Sequence, residues 1–241
     1  MTLYDDSGYS VRPEVTTAHE AALDSFRRPG TWWTGTQRAE IVAEARRARI
    51  EAGVQSPDGF SNQGPGALAD LPEAARKAAR DLAVAPKNID RAFYDGIVPD
   101  GLTDAEYVET VSVTVRATDL DVFARGIGAP MAEVGEPEDG EPSRNRPDCA
   151  NDDIAFAPMI HNGRRGGEAG KALYGGEMMP NILRATSLVP DEFRHVVSIV
   201  LPQYVSLDQF MNLNYTNDPS ISRTQMELVA GRISAINGGF Y

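Results

Sequence analysis

The stretch Ser222-Arg-Thr-Gln-Met-Glu227-Leu-Val-Ala-Gly-Arg-Ile-Ser-Ala-Ile-Asn237-Gly-Gly-Phe-Tyr241 reads as an amphipathic helix followed by a break. Met226, Val229, Ala230, Ile233, Ile236 and Phe240 recur at three- and four-residue steps, so they share one face of a 3.6-residue period. On periodicity alone that stripe is a core-facing one. Glu227 stands beside it, and Asn237-Gly238-Gly239 interrupts it, because glycine loses the most backbone freedom in a helix.

The same helical period dominates upstream. Residues 1–30 are polar, broken by Pro13 and Pro29, and hold one short helical stretch from Glu14 to Phe26; they form an arm. Thr34 or Thr36 caps a helix that runs through Ile41, Val42, Ala45 and Ala48 to about Gly53. Val54 to Asp70 is a Gly/Pro/Ser/Asn loop. Leu71-Pro72 opens a helix to about Val84, and another covers about Asn88 to Asp95. Thr103 and Glu106 have the spacing of a capping box, which favours helix over strand for the valine-rich run to Gly126.

From Ala132 to Asp153 the chain is charged and rich in Pro and Gly, too polar to bury a core by itself. We read it as a linker. Beyond it, helix is expected from Ile182 onward, from Pro190 with an interruption near Pro202, from Ser206, and after Ser222. No hairpin signature or alternating strand pattern occurs, so the expected fold class is all-α. The expected organisation is an N-terminal arm (1–30), a first helical repeat (31–131), an acidic Pro/Gly-rich linker and loop (132–179) and a second helical repeat (180–241).

The formal charge is −12 across 241 residues, which argues against phosphate backbones or anionic lipid as main partners. No window approaches a membrane span, and the first residues lack a basic and an apolar signal region, so the protein is expected to be cytoplasmic. The single cysteine, Cys149, excludes an internal disulfide and any all-cysteine metal site, and it reads as an inert linker thiol. Glu192 and His195 have half the spacing of a carboxylate-bridged metal site, but no second Glu-x-x-His completes it. No metal is therefore expected. Arg164 and Arg165 sit among glycines as in a loop, and nothing in the sequence makes His19 or His161 catalytic. Trp32 and Trp33 either line a ligand pocket or anchor the start of a helix.

The terminal stretch resembles the alkylhydroperoxidase D-like (carboxymuconolactone decarboxylase-like) superfamily. Its redox signature is Glu, eleven residues, Cys, two residues, Cys, three residues, His. Counted from Glu227, the first cysteine position is Gly239 and the second is the residue after Tyr241. Pro180-Asn181-Ile-Leu-Arg184-Ala-Thr-Ser187-Leu-Val-Pro190 looks like the segment that precedes the redox helix in peroxidase-related members. Gly101 to Gly128 looks like their closing helix, placed here before the signature. Thr34-Gly-Thr-Gln-Arg38 looks like a further copy of the signature helix, sharing Thr-Gln with Thr224-Gln225.

The resemblance implies an all-α bundle of two degenerate repeats and a thiol- or selenol-dependent peroxidase. It implies a hydroperoxide substrate, an external thiol reductant, assembly into a homo-oligomer and no cofactor. Glu227 carries over as the proton relay; Gly239 occupies the resolving-cysteine position, Tyr241 precedes the nucleophile position, and Asn237 and Phe240 join Trp32 and Trp33 as candidate substrate contacts. We expect the natural protein to continue past Tyr241 with Cys or selenocysteine, whose UGA codon is readily misread as a stop. The 241-residue chain is then expected to be inactive. The competing expectations are a non-catalytic helical binding or assembly protein, and a lyase acting on a carboxylated lactone.

Overall fold

The computed structural model describes residues 3–57 and 70–238. Among these the fold is all-α apart from one antiparallel pairing of two-residue strands, β1 (Ala150–Asn151) and β2 (Met159–Ile160). The helices are α1 (Pro13–Phe26), α2 (Gly35–Glu51), α3 (Glu73–Val84), α4 (Arg91–Gly101), α5 (Asp104–Gly126), α6 (Gly167–Tyr174), α7 (Asn181–Arg184), α8 (Pro190–Gln203) and α9 (Arg223–Ile236).

Three helices start with a reciprocal cap, of which the sequence spacing marks the Thr103/Glu106 box and leaves the first cap between Thr34 and Thr36. Thr34 Oγ1 accepts from the Gln37 N–H (3.2 Å), and Gln37 Oε1 accepts from the Thr34 N–H (3.0 Å). Thr103 and Glu106 do the same for α5, and Ser222 and Gln225 for α9. Each box satisfies two N–H groups that a helix start otherwise leaves without partners.

Other boundaries differ from expectation. The fourth helix begins at Arg91 rather than Asn88, because Asp90 accepts from the Phe93 N–H (2.8 Å) and Pro86–Asn88 forms a 3₁₀ turn ahead of it. Ser206 opens only a 3₁₀ turn, Leu207–Gln209, and the chain near Ile182 holds one helical turn, α7. The expected loop from Val54 to Asp70 lies partly outside the described residues.

The core is packed through small side chains. Ala75, Ala78 and Ala79 of α3 are fully buried, which lets α3 lie close against both α2 and α5. Val113, Ala117 and Leu120 of α5 and Ile41 and Val42 of α2 fill the same interior. One continuous cluster extends from these residues to Leu188, Val189, Phe193 and Ile199 around α8, so both halves of the chain share it. α8 packs on α1 and α5.

The charged stretch after Ala132 lies along the first half. The Glu138 N–H donates to the Arg27 carbonyl (2.7 Å), the Arg144 N–H to the Thr31 carbonyl (2.8 Å), and Arg27 pairs with the Glu138 carboxylate (2.5 Å). Gly35 makes this approach possible: a Cβ there would lie 2.3 Å from the Arg27 carbonyl oxygen and 2.7 Å from that of Glu138.

Candidate functional site

Three polar constellations emerge from this frame. The first is Glu227 on α9. The Tyr204 hydroxyl donates to Glu227 Oε1 (2.6 Å), and Arg223, one turn earlier, donates Nε–H to the same oxygen (2.6 Å). These two bonds hold the Glu227 carboxyl below its ordinary range, while the side chain stays half-exposed. Arg223 itself is buried, stacked near the Tyr204 and Phe210 rings, and donates to the Phe210 carbonyl (3.1 Å). The result is an ionised carboxylate fixed in direction and reachable from solvent.

The apolar stripe of α9 does not face a core. Val229, Ile233 and Ile236 of the stripe are more than half exposed, as is Leu228 on a neighbouring face, and among the described residues of the helix only Arg223 is buried. Periodicity finds a common face but not whether anything covers it. Asn237 caps α9 and is exposed, its N–H bonded to the Ile233 carbonyl (3.0 Å). Gly239, Phe240 and Tyr241 lie outside the described residues.

The second constellation was not anticipated. Arg38 (α2), Glu109, Ser112 and Arg116 (α5) and Glu192 (α8) form a polar network whose members are at most 2 % exposed. Arg38 Nη1 bridges both carboxylates, donating to Glu109 Oε1 and to Glu192 Oε1 (2.8 Å). Glu192 Oε2 accepts from Ser112 Oγ (2.6 Å) and Arg116 Nη2 (2.7 Å). Glu109 Oε2 accepts from the Trp32 backbone N–H (2.7 Å), and Ser25 of α1 contributes its hydroxyl to Arg116 and its carbonyl to Arg38.

Two cations and two anions cancel, so the network can be buried. The two carboxyls are nonetheless unlike. Burial opposes ionisation of both, but Arg38, Arg116 and His195 hold Glu192 well below the usual range. For Glu109, burial and the neighbouring Glu192 charge outweigh Arg38 and the Trp32 N–H, and its pKa is pushed up to about 7. Gly30 is required beside it, since a Cβ there would lie 1.9 Å from Glu109 Oε1 and 2.3 Å from Arg38 Nη1. Glu192, which the sequence pairs with His195 at a three-residue step, is instead held by this network, with His195 Nδ1 at 3.3 Å from Glu192 Oε1.

Of the two readings of Trp33, its burial fits the anchor at the start of α2. It is 2 % exposed, and its indole N–H is directed at the Glu106 carbonyl (3.2 Å) and Thr110 Oγ1 (3.1 Å). Trp32 packs partly against the core under the Arg144 guanidinium. Neither tryptophan lines the cavity beside α7 or the cleft along α6.

The third constellation joins Tyr4, His19, Asp119 and Gln203. Gln203 Nε2 lies 2.6 Å from His19 Nε2 and 2.8 Å from Asp119 Oδ2. An amide NH₂ can donate to both, which makes His19 Nε2 an acceptor and leaves its proton on Nδ1, facing Tyr4 Oη at 2.5 Å. Burial lowers the His19 pKa to about 4 and raises that of Asp119. Elsewhere His161 Nδ1 approaches Asp153 (2.9 Å), which Arg184 also holds (2.9 Å). Cys149 is half-buried just before β1.

No family model, curated protein or solved structure matches the chain. No helix among the described residues is long and apolar enough to cross a membrane.

Proposed function

We propose that the chain is the helical scaffold of an alkylhydroperoxidase D-like thiol or selenol peroxidase, with Glu227 as its proton-transfer carboxylate. The observation that carries this reading is the Glu227 site: an ionised, solvent-reachable base fixed by Tyr204 and Arg223 on a capped helix. The shared cap chemistry of α2 and α9, both opened by a box that contains Thr-Gln, supports the reading of a degenerate repeat.

In such a reaction a thiol or selenol loses its proton to the base, and the resulting anion attacks the peroxide O–O bond. A sulfur–oxygen or selenium–oxygen bond forms, the O–O bond breaks, and the leaving alkoxide takes up the proton to become an alcohol. An external thiol then reduces the oxidised centre. Gly239 at the resolving position and Cys149 in a different part of the fold leave no redox pair within this sequence. The 241-residue chain is therefore expected to consume no hydroperoxide with dithiol reductant; turnover well above that of a Cys149→Ser variant would contradict this. Reading the gene after codon 241 tests the peroxidase assignment itself. A cysteine or selenocysteine codon followed four codons later by histidine supports it, and a stop other than UGA overturns it.

The second reading, a non-catalytic binding or assembly protein, is favoured by the exposed Leu228, Val229, Ile233 and Ile236 on α9. A contiguous apolar surface of this kind tends to be covered by a partner. A homo-oligomer is the expected result of light scattering, and a sharply monomeric species would contradict assembly through this face.

A further inference from the structure

We propose that the cavity between residues 154–159 and α7 is a binding site for an uncharged, largely hydrocarbon small molecule. Its volume is about 450 Å³, within the range of small-ligand pockets. Ile154 and Phe156 line it from one segment, and Asn181, Ile182 and Ala185 from the other. Met159, fully buried on β2, packs behind the lining and, as a flexible thioether, can yield to a ligand. Ile154 and Ile182 remain 54 % and 71 % exposed, so apolar area is left against water at the cavity's edge.

The neighbouring polar groups set the ligand class. Asn181 is the one polar residue in the lining, and its Oδ1 accepts from Arg184 Nη2 (2.6 Å). Arg184 Nη1 is directed at Asp153 (2.9 Å) and the Ile160 carbonyl (3.1 Å), so these charges are paired with each other. The Arg91 guanidinium lies over the Phe156 ring and donates to the Phe156 carbonyl. A charged ligand would lose its hydration here without a counter-charge, whereas a hydrocarbon gains by leaving water. The site is also held in shape. The Ile160 N–H donates to Ser187 Oγ (2.9 Å), and the Tyr174 hydroxyl donates to the Ile160 carbonyl (2.8 Å). Preorganisation of this kind lowers the entropy lost on binding.

The test is fluorescence titration of the 241-residue chain with neutral N-phenyl-1-naphthylamine. The expected result is saturable enhancement at one probe per chain. Ala185→Trp, which fills the cavity, should weaken binding at least about tenfold, as should Ile182→Glu at the exposed rim, where folding is not at stake. Leu228→Glu/Ile233→Glu, which removes the other apolar surface on α9, should leave binding within about twofold. Non-saturable enhancement, unchanged affinity in both cavity variants, or loss of binding in the α9 variant would each overturn the proposal.

Discussion

Replacing Arg38 with methionine is expected to destabilise the protein by about 3–5 kcal/mol at neutral pH, the range for removing one partner of a buried ion pair. The methionine conserves most of the volume, so the loss comes from charge. Without Arg38 Nη1, Glu109 keeps only the Trp32 N–H, and Glu192 keeps Arg116, Ser112 and His195. Two carboxyls then share a dry interior with one guanidinium. Urea unfolding of wild type, Arg38→Met, Glu109→Gln and the double variant measures this directly. Arg38→Met/Glu109→Gln should be more stable than additivity allows, by at least about 1 kcal/mol, because the glutamine removes the stranded charge.

The pH dependence has a defined sign. In Arg38→Met the folded state holds Glu109 protonated more strongly than the unfolded chain does, so the penalty on its charge is largest at high pH, shrinks as pH falls through the folded-state pKa and is gone by the unfolded carboxylate pKa of about 4.3. A deficit under 1 kcal/mol at neutral pH, or strict additivity in the cycle, would show that the network is solvated rather than buried.

These residues explain where sequence reading succeeded and where it stopped. Thr103/Glu106 is a local device: the partners lie three residues apart, so spacing alone reveals it, and the all-α class follows from helical periods without alternating patterns. Thr34/Gln37 and Ser222/Gln225 have the same spacing but were not read as boxes. The charge network is different. Its signal was present, since Arg38 falls on the Ile41–Val42–Ala45 stripe, and Glu109, Ser112 and Arg116 share one face of α5 at steps of three and four. Yet a charged residue on an apolar stripe is ambiguous until its partner is known. Arg38 and Glu192 are separated by 154 positions, and no periodicity connects them.

The α9 stripe shows the converse failure. Its spacing was read correctly, but whether such a face is covered depends on elements elsewhere in space. Glu227 was singled out through resemblance; Arg223 lies one turn before it on the same helix, but Tyr204, which also holds it, follows the end of α8 and is 23 positions away. Trp33 could be read two ways because a bulky residue before a helix packs inward or lines a cavity according to what α5 presents; here Thr110 and the Glu106 carbonyl accept its indole N–H.

Acidification should destabilise the fold through His19, by up to about 3 kcal/mol between pH 6.5 and 4. The ring is fully buried, edge-on to Tyr4 and Phe123, and its pKa falls to about 4. An unfolded histidine binds its proton near pH 6.5, so over this interval the unfolded chain holds the extra proton and gains at the expense of the folded one. The contribution is therefore complete above pH 6.5 and lost as pH falls to the folded value. Donor geometry reinforces the effect, because a proton on Nε2 would face the Gln203 amide hydrogens. Glu109, raised to about 7, acts in the opposite sense between about pH 4.3 and 7, so the total profile mixes two slopes. The difference between wild type and His19→Phe isolates the histidine, since the phenyl ring retains the packing and cannot titrate. Wild-type stability relative to His19→Phe should fall steadily below pH 6.5; a difference that stays flat to pH 4 would mean that His19 takes up its proton without leaving the folded state. Direct NMR titration of the His19 ring should then show it still neutral well below pH 6.5.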